Sequence, residues 1–437
     1  MNNTINSNSI SNNESSLVTE KITASLKQRH RKEMRFRWLG RMAVGLGFFL
    51  VVSLIGDIIY KATPAFHMHW VKMDINYDQE LLGVTDASGE SLKEANFRKT
   101  LRRSIYQAFP EVTARKDKRK LFSLFSTNAE FTIEEYLLEN NSSLNKIESV
   151  WLRFDDDIDS YLKDDPVLGQ AGSRVDENQA IWVKSLIESG KVEKRFNIDF
   201  FTNGDSREPE LAGVKGAFTG TILTMLVTLV LSFPLGVAAA LYLEEFAPKN
   251  RWTDIIEVNI NNLAAVPSII FGLLGLAVII NIFGLPRSAP LVGGIVLSLM
   301  TLPTIIIASR ASIKAVPPSI REAALGVGAS KMQTAFGHVL PMAMPGILTG
   351  TIIGMAQALG ETAPLLMIGM VAFIVDVPAG ITDAATVLPV QIFLWADSPE
   401  RAFLAKTSAA ILVLLSFLFV MNISAALLRN KFEKKVG

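Results

Sequence analysis

The stretch Pro318-Ser-Ile-Arg-Glu-Ala-Ala-Leu-Gly-Val-Gly328-Ala-Ser-Lys-Met-Gln333 connects two long apolar segments, 288–309 and 339–360. Each of these segments is long enough to cross a bilayer as a helix, which takes about 20 apolar residues. The stretch is therefore a loop between two membrane spans. Its own pattern predicts a helix, a tight turn and a second helix.

The first helix of this loop is predicted from its capping residues. Ser319 fits the N-cap of a capping box with Glu322 three residues later, and Gly328 suits the left-handed position that ends a helix. Ala323 and Ala324 keep this helix slim, so that its backbone can lie deep in a groove of a partner.

The second helix has a box of its own. Ser330 fits the N-cap with Gln333 at the third position, and the helix is expected to run to Val339, before Pro341. A short helical hairpin can transmit force because its turn leaves little slack. The alternative is that both helices only connect the spans.

Outward from this loop, charge-free segments predict an all-α polytopic membrane protein with six transmembrane helices. The predicted spans are 38–60, 216–243, one within 258–286, 288–309, 339–360 and 407–428.

The charges are concentrated in one region. The chain has 437 residues, 43 Lys and Arg against 42 Asp and Glu, and 49% hydrophobic residues, which excludes a disordered chain and a strongly basic nucleic-acid binder. Residues 61–210 alone hold 48 of these 85 charged residues. We therefore expect a water-soluble insert, 61–212, between the first two spans. The absence of cysteine excludes disulfides, thiolate metal sites and cysteine nucleophiles.

Basic residues predict the orientation. Lys and Arg near the span ends number 17 on one side and 3 in the short segments on the other, and the richer side is cytoplasmic. Both termini are then cytoplasmic, the insert is extracytoplasmic, and span 38–60 is an uncleaved anchor rather than a signal peptide. Residues 1–37 are predicted to form a disordered, basic tail, and 429–437 a basic tail.

The insert is predicted to be α+β, with a β-rich stretch at Phe131-Thr-Ile133 and a helical pattern at 181–188. His67 and His69 could suggest a metal site, but no further His or Cys follows in this region, so a non-ligand role is favoured. We find no active site in the insert.

The loop residues resemble a known motif. Glu322-Ala-Ala, with Gly328 six positions on and Leu340-Pro341 closing the loop, looks like the EAA loop of ABC-importer permeases. The resemblance implies that Glu322, Ala323, Ala324 and Gly328 enter a cleft on an ATP-hydrolysing subunit and couple its closure to the spans. His338 stands where that family usually has an aliphatic residue. The chain has no phosphate loop of its own, so a separate polypeptide would carry the ATPase and this chain would not be an enzyme.

Three further motifs narrow the resemblance to the permease subunits of phosphate-specific importers, the PstA family: 266–273 (Val-Pro-Ser-Ile-Ile-Phe-Gly-Leu), 358–365 (Ala-Leu-Gly-Glu-Thr-Ala-Pro-Leu) and 388–392 (Leu-Pro-Val-Gln-Ile). The similarity covers about Gly213 to the C-terminus, and the long N-terminal region resembles the extension of a subset of that family. It implies a MetI-like fold in the inner membrane, without cofactor, metal or catalytic residue.

The resemblance also implies partners. They are a second permease subunit (PstC-like), two copies of an ATP-binding subunit (PstB-like), an extracytoplasmic phosphate-binding protein (PstS-like), membrane lipid and inorganic phosphate; no nucleic acid is implied.

An anion path needs donors, and spans two to five contain neither Lys nor Arg within 216–243, 258–286, 288–309 or 339–360. Hydroxyl groups, backbone N–H groups freed at helix breaks, or a second chain must supply them. Prolines mark candidate breaks, although for any single proline a purely structural kink is favoured. The candidates are Pro234, Pro267, Pro303 and Pro345, with Ser268, Thr301 and Thr304 as nearby donors.

Glu361 is the most notable polar residue near a span. A carboxylate at bilayer depth costs about 2.5–3.5 kcal/mol, so it needs a partner or a proton unless it lies in water at the interface. Permeases of the resembled family often have Arg four residues earlier, where this chain has Gln357. We expect Gln357, Glu361 and Thr362 to orient a gate while a partner permease contributes the cation.

The leading interpretation is the transmembrane subunit of an ATP-driven phosphate importer that works by alternating access. Three alternatives stay open: a permease for another oxyanion, an ion-coupled secondary transporter, and a membrane sensor or adaptor in phosphate signalling. A secondary transporter would need several buried carboxylates or histidines, and a sensor would need a cytoplasmic output module.

Overall fold

A computed structural model of the chain describes residues 6–84, 91–92, 95–163, 174–371 and 373–436, with the backbone alone at 6–25, 27–28 and 433–436. Residues 1–5 and 437 of the two predicted tails, and 85–90, 93–94 and 164–173 of the predicted insert, lie outside this description. The chain forms two compact units, Met1–Tyr60 and Lys61–Gly437.

The first unit is the larger part of one long helix, α1 (Asn6–Ala62). It contains the predicted span 38–60. It also contains residues 6–37. The sequence predicts a disordered tail there, whereas the structure has a helix. The physical reason is that the segment has no proline or glycine before Gly40 and is rich in Lys, Arg, Glu and Met from residue 27 on, which favour helix.

In the second unit, the insert contains a three-stranded antiparallel sheet in the order β2-β1-β3. The strands are β1 (His67–Asn76), β2 (Ile147–Arg153) and β3 (Val192–Phe196). Trp70 lies opposite Arg153 and Asn76 opposite Ile147, while His67 pairs with Phe196 on the other side. Alternate residues of β1 face an apolar core, as expected for a strand covered on one face.

Helices cover that face and complete the α+β insert that the sequence predicts. The helical pattern at 181–188 is confirmed, since it lies in a helix that Asp176 and Gln179 begin with a capping box. The predicted β-rich stretch at Phe131–Ile133 is wrong, since these residues lie in a helix. Ile133 faces the insert core from that helix, whereas Phe131 is exposed. The helices are α2 (Gln79–Leu82), α3 (Phe97–Ala108), α4 (Arg115–Phe122), α5 (Ala129–Glu139), α6 (Asp156–Lys163), α7 (Glu177–Glu188) and α8 (Asp199–Thr202).

The membrane part is helical, as predicted. Within the described residues five helices are long and apolar enough to cross a membrane: Arg29–Phe66, Lys215–Phe246, Pro290–Lys314, Lys331–Gly360 and Ala402–Phe432. Their α-helical parts after α1 are α9 (Lys215–Leu241), α12 (Pro290–Lys314), α15 (Leu340–Gly360) and α18 (Ala402–Val436). Shorter helices are α10 (Arg251–Ala264), α11 (Ser268–Leu274), α13 (Pro318–Gly326), α14 (Lys331–Thr334), α16 (Ala363–Met367) and α17 (Leu388–Ala396).

The remaining predicted span is not one straight helix. It consists of α10 and of Ser268–Ile280, which continues α11 as a π-helix, and the two parts are bent by 102°. Pro267 lies at the bend, where it lacks an N–H and disfavours the helical conformation at Val266. A sixth span exists only if this bent pair is counted as one.

The other prolines do not break their helices. Pro234, Pro303 and Pro345 lie inside α9, α12 and α15, which are continuous. The candidate breaks are absent at these three described positions, because neighbouring helices and side-chain hydroxyls can satisfy the freed backbone groups of a membrane helix. Helix breaks therefore offer free N–H groups at Pro267 and not at these three prolines.

Candidate functional site

The loop between spans four and five forms the predicted helical hairpin. Its first helix, α13, begins at Pro318 with Pro317 as N-cap and without a side-chain cap. The predicted capping box of Ser319 and Glu322 is therefore wrong, since proline in the first turn already has the helical φ and needs no N–H partner. Gly328 has φ +92°, the left-handed conformation expected after this helix.

The second half of the hairpin confirms the other box. Ser330 Oγ accepts from Gln333 N at 3.2 Å, and Gln333 Oε1 accepts from Ser330 N at 2.8 Å. The helix does not stop before Pro341, however. It continues through a π-helical segment, Ala335–Val339, directly into α15. Because the π-segment shifts the hydrogen-bond register, Pro341 falls in the first α-turn, where an N–H is not needed.

The hairpin presents an exposed surface. Glu322, Ala323 and Gly328 are exposed, whereas Ala324 is buried and fixes the helix to the rest of the protein. Large apolar side chains are exposed beside them, and His338 lines a shallow groove on the same hairpin. The exposed apolar side chains are Leu325, Val327, Met332 and Phe336. A surface of this composition is typical of a protein interface.

Arg321 holds the hairpin against the ends of two spans. Its guanidinium donates to Glu245 Oε1 from Nε at 3.0 Å and from Nη2 at 2.8 Å. It also donates to the carbonyls of Val316 at 2.7 Å and Ile313 at 2.9 Å, at the C-terminal end of α12. One side chain thus satisfies free carbonyls of span four and pairs with the acidic end of span two.

A second ion-pair group lies beside it. Arg310 Nε donates to Glu244 Oε1 at 2.6 Å, and its Nη2 pairs with Glu257 of α10. Lys314 approaches the same Glu244 oxygen at 3.4 Å but is largely exposed. Glu244 belongs to the π-helical end of the second span, Tyr242–Phe246. In the sequence, these cations indicate only topology. The signal for the ion pairs is the acidic pair Glu244-Glu245 on an otherwise basic side.

The sequence motifs of the membrane part meet in space. A Cβ at Gly272, in the 266–273 motif, would lie 2.6 Å from the Cα and 2.7 Å from the carbonyl oxygen of Pro364, in the 358–365 motif. A Cβ at Gly293 of α12 would likewise approach Leu365 Cδ2 at 3.4 Å. The glycine at 272 therefore permits a close backbone approach between the two motifs.

The third motif is joined to span two. The backbone N–H of Leu388 donates to Thr221 Oγ1 at 2.9 Å, and the Thr386 hydroxyl donates to the Met370 carbonyl at 3.1 Å. Gln391 of this motif is buried. These contacts fix α17 against α9.

Of the predicted pathway residues, Thr301 and Thr304 lie together. Both approach Gly354 of α15, within 3.9 Å of its Cβ position, one turn before Gln357. Thr301 is buried and donates to the Ser298 carbonyl at 3.1 Å, whereas Gln357 is exposed.

Glu361, Thr362 and Ser268 lie where helices end or begin. Glu361 is half-buried and is the first residue after α15, with an extended backbone. Thr362 is the N-cap of α16 without a side-chain cap, and Ser268 begins α11 after the bend at Pro267. No contact that joins these three side chains was found among the described residues.

The insert is joined to the last span by polar contacts that the sequence did not predict. The Lys406 ammonium is buried in α18 and donates to the Ala212 carbonyl at 2.5 Å. Trp395 Nε1 donates to Asp205 Oδ1 at 3.0 Å, and burial raises the pKa of Asp205 although Trp395 and Gln391 lower it. The sequence predicts Lys406 in an outer segment, whereas it lies in the helix of the last span.

Two groups in the insert bear on metal binding. His69 Nδ1 lies 2.9 Å from Asp159 Oδ1, and Lys163 pairs with the same carboxylate at 2.5 Å, so that His69 has a structural partner. The carboxylates of Asp155, Asp156 and Asp157 lie within 4.8 Å of one another. Burial and mutual repulsion raise the pKa of Asp155 to about 7 and that of Asp156 to about 6, which favours protons on this group.

Comparison with known proteins gives two family matches. Residues 232–434 match the binding-protein-dependent transport system inner membrane component, and residues 23–167 match a domain of unknown function, DUF3333.

The matches to individual relatives cover most of the length of those relatives. The phosphate transport system permease protein PstA 1 of Mycobacterium tuberculosis (strain ATCC 25618 / H37Rv) is 32% identical over 217 residues, which are 50% of this chain and 70% of that protein. The probable ABC transporter permease protein YqgH of Bacillus subtilis (strain 168) is 31% identical over 240 residues, 53% of this chain and 75% of that protein. Among solved structures, an inward-facing MetNI methionine ABC transporter is 17% identical with a TM-score of 0.41, covering 50% of this chain and 95% of that chain.

Proposed function

The chain belongs to the family of inner membrane components of binding-protein-dependent transport systems, and from this premise we propose that it is the permease subunit of an ATP-driven importer of inorganic phosphate. The observation that carries the proposal is the 32% identity with a phosphate transport permease over 70% of that protein's length. Another oxyanion is the nearest alternative substrate, because phosphate is inferred from the substrate of related permeases.

The coupling site is the hairpin around Glu322 and Gly328. An ATP-hydrolysing partner binds its exposed surface, and Arg321 holds that surface against spans two and four. The hairpin passes without a break into span five, since Lys331–Gly360 is one helical segment of 30 residues, about 45 Å long at 1.5 Å per residue. Movement of the hairpin is therefore transmitted along this segment to Glu361 at its other end.

The gate is the region where the 266–273 and 358–365 motifs meet. Gln357, Glu361 and Thr362 orient it, and Ser268, Thr301 and Thr304 offer hydroxyl groups near the path. Because spans two to five lack internal Lys and Arg within their apolar segments, a second permease supplies the cation that an anion needs.

The assembly contains this permease, a second one, two ATP-binding subunits and an outer phosphate-binding protein. The chain itself is non-catalytic. It lies in the inner membrane with both termini in the cytoplasm and residues 61–212 outside, since basic residues concentrate at the ends assigned to the cytoplasm.

The proposal is tested by phosphate uptake in cells whose own phosphate importer is deleted. The chain, expressed with its neighbouring subunits, is expected to restore uptake of radiolabelled phosphate, and competition with sulfate or molybdate distinguishes the oxyanions. Uptake that persists with an inactive ATP-binding subunit would instead favour an ion-coupled transporter.

The same assay examines the gate residues. Glu361→Gln removes a charge and Gln357→Arg restores the cation that related permeases often have there. Unchanged uptake in both variants, at equal amounts of protein in the membrane, would remove these residues from the mechanism.

A further inference from the structure

An exposed apolar cluster lies at the base of the insert. Phe196, Ile198 and Phe201 are 56%, 62% and 42% exposed, although each is a large apolar residue. The Phe201 ring stacks on both Phe196 and Phe66, with 6.1 Å between ring centroids in each pair. Contiguous exposed apolar side chains of this kind mark a surface that is covered by something other than water.

Backbone hydrogen bonds join the segments that carry this cluster to Phe66 and to the start of the second candidate span. Asn197 N donates to the Phe66 carbonyl at 2.9 Å, and Phe66 is the last residue of the first candidate span, Arg29–Phe66. On the other side, Val214 N donates to the Phe200 carbonyl at 2.8 Å and Lys215 N to the Asn203 carbonyl at 3.1 Å.

Lys215 begins the second candidate span, Lys215–Phe246. Residues adjacent to the cluster are thus bonded to Phe66 and to the residues that begin this span. The ends of membrane spans lie near the lipid headgroups, a depth at which aromatic side chains with one apolar side are favoured.

We propose that Phe196, Ile198 and Phe201 are inserted into the outer-leaflet interface of the membrane and hold the base of the insert on the lipid surface. Lys194, two residues before Phe196 in β3 and therefore on the same face of the strand, is exposed. It suits the phosphate groups of the lipids above this apolar layer. The inference needs only that the chain spans a membrane, and it does not depend on the substrate.

The chain offers a matched control position. Ile147 is 68% exposed on the same sheet, but it pairs with Asn76 at the other end of β1, whereas Phe196 pairs with His67. These two ends of β1 are about 30 Å apart at roughly 3.3 Å per residue. Ile147 is therefore expected to lie in water.

Since the natural chain has no cysteine, Ile198→Cys and Ile147→Cys can each carry a single bimane label. Both full-length variants are reconstituted in phosphatidylcholine vesicles, with or without nitroxide-labelled lipid. The expected result is strong quenching of the label at 198 by the lipid nitroxide and weak quenching by aqueous iodide, with the opposite at 147.

Two results would overturn the proposal. Equal quenching of both labels by iodide means that the cluster lies in water. Protection of the label at 198 from both quenchers means that protein covers it, either a second copy, another permease or a binding protein. Phe196→Cys provides an independent position if Ile198→Cys does not accumulate in the membrane.

Discussion

Replacing Arg321 by glutamine tests how the coupling hairpin is held. The substitution removes two hydrogen bonds to the Glu245 carboxylate and two to the carbonyls of Ile313 and Val316. Hydrogen bonds to a charged group contribute about 1.5–3 kcal/mol each, and breaking a buried ion pair costs about 3–5 kcal/mol. The side chains of Arg321 and Glu245 are partly exposed, at 24% and 14%, and glutamine can retain one hydrogen bond to a carbonyl. The expected cost of the substitution is therefore at the lower end of these ranges, about 2–3 kcal/mol.

Since about 1.4 kcal/mol changes an equilibrium tenfold, the hairpin of Arg321→Gln should leave its position some 30- to 100-fold more often. The expected result is a loss of phosphate uptake of about tenfold or more at an unchanged amount of protein in the membrane. ATP hydrolysis by the assembled transporter should persist, because hydrolysis then proceeds without coupling to the spans. The measurements are initial uptake and ATPase rates of the same reconstituted preparation.

Lys314→Gln is the matched control, since it also removes a cation at the end of α12. Its side chain is 62% exposed and lies 3.4 Å from Glu244, so an effect of well under 1 kcal/mol is expected. In addition, the double variant Arg321→Gln/Glu245→Gln should lose less than the two single variants together, since both act on one ion pair. Uptake by Arg321→Gln equal to that of Lys314→Gln would refute the reasoning.

Three further outcomes are expected. Gly272→Ala should lower stability by about 1–3 kcal/mol through overpacking, because its Cβ would lie 2.6 Å from the Cα of Pro364. Thermal stability in detergent and uptake should both fall, and a melting temperature equal to that of the wild type would contradict this packing. Gly328→Ala, at φ +92°, should strain the hairpin turn by about 1–2 kcal/mol and lower uptake, whereas Gly326→Ala, also with open space around it, should not. Burial raises the pKa of Glu210 from 4.5 to about 7, so the folded chain retains a proton there that the unfolded chain releases. The contribution of this group to stability is fully present below pH 4.5 and is lost as the pH rises to about 7. Glu210→Gln should therefore reduce the difference between melting curves at about pH 5 and about pH 8, and an unchanged difference would assign it to other groups.

The sequence predicts best what depends on long apolar segments and on local capping. Five of the six predicted spans, the α+β insert and the box of Ser330 and Gln333 follow from hydropathy and from short-range hydrogen bonds, and the structure agrees. The span predicted within 258–286 is instead a bent pair of helices. The box of Ser319 fails because a proline immediately before it begins the helix by a different local mechanism.

Long-range polar contacts were not predictable in this way. Arg321 and Glu245 are 76 residues apart, and Lys406 and Ala212 are 194 residues apart. A basic residue near a span end has the same appearance in the sequence whether it marks topology or pairs with a carboxylate. The bend at Pro267 and the continuous helices at Pro303 and Pro345 differ for a similar reason, because neighbouring helices decide the outcome.

The buried bond between Lys406 and the Ala212 carbonyl has a consequence for how such chains diversify. The Lys406 amine donates to a carbonyl at the end of the insert, so removing residues 61–212 would leave this side chain without that acceptor. Gain or loss of the insert in related genes should therefore be accompanied by a change at this position, with lysine where the insert is present and a neutral side chain where it is missing. A single codon in the last span would then report whether a distant part of the gene encodes the outer domain.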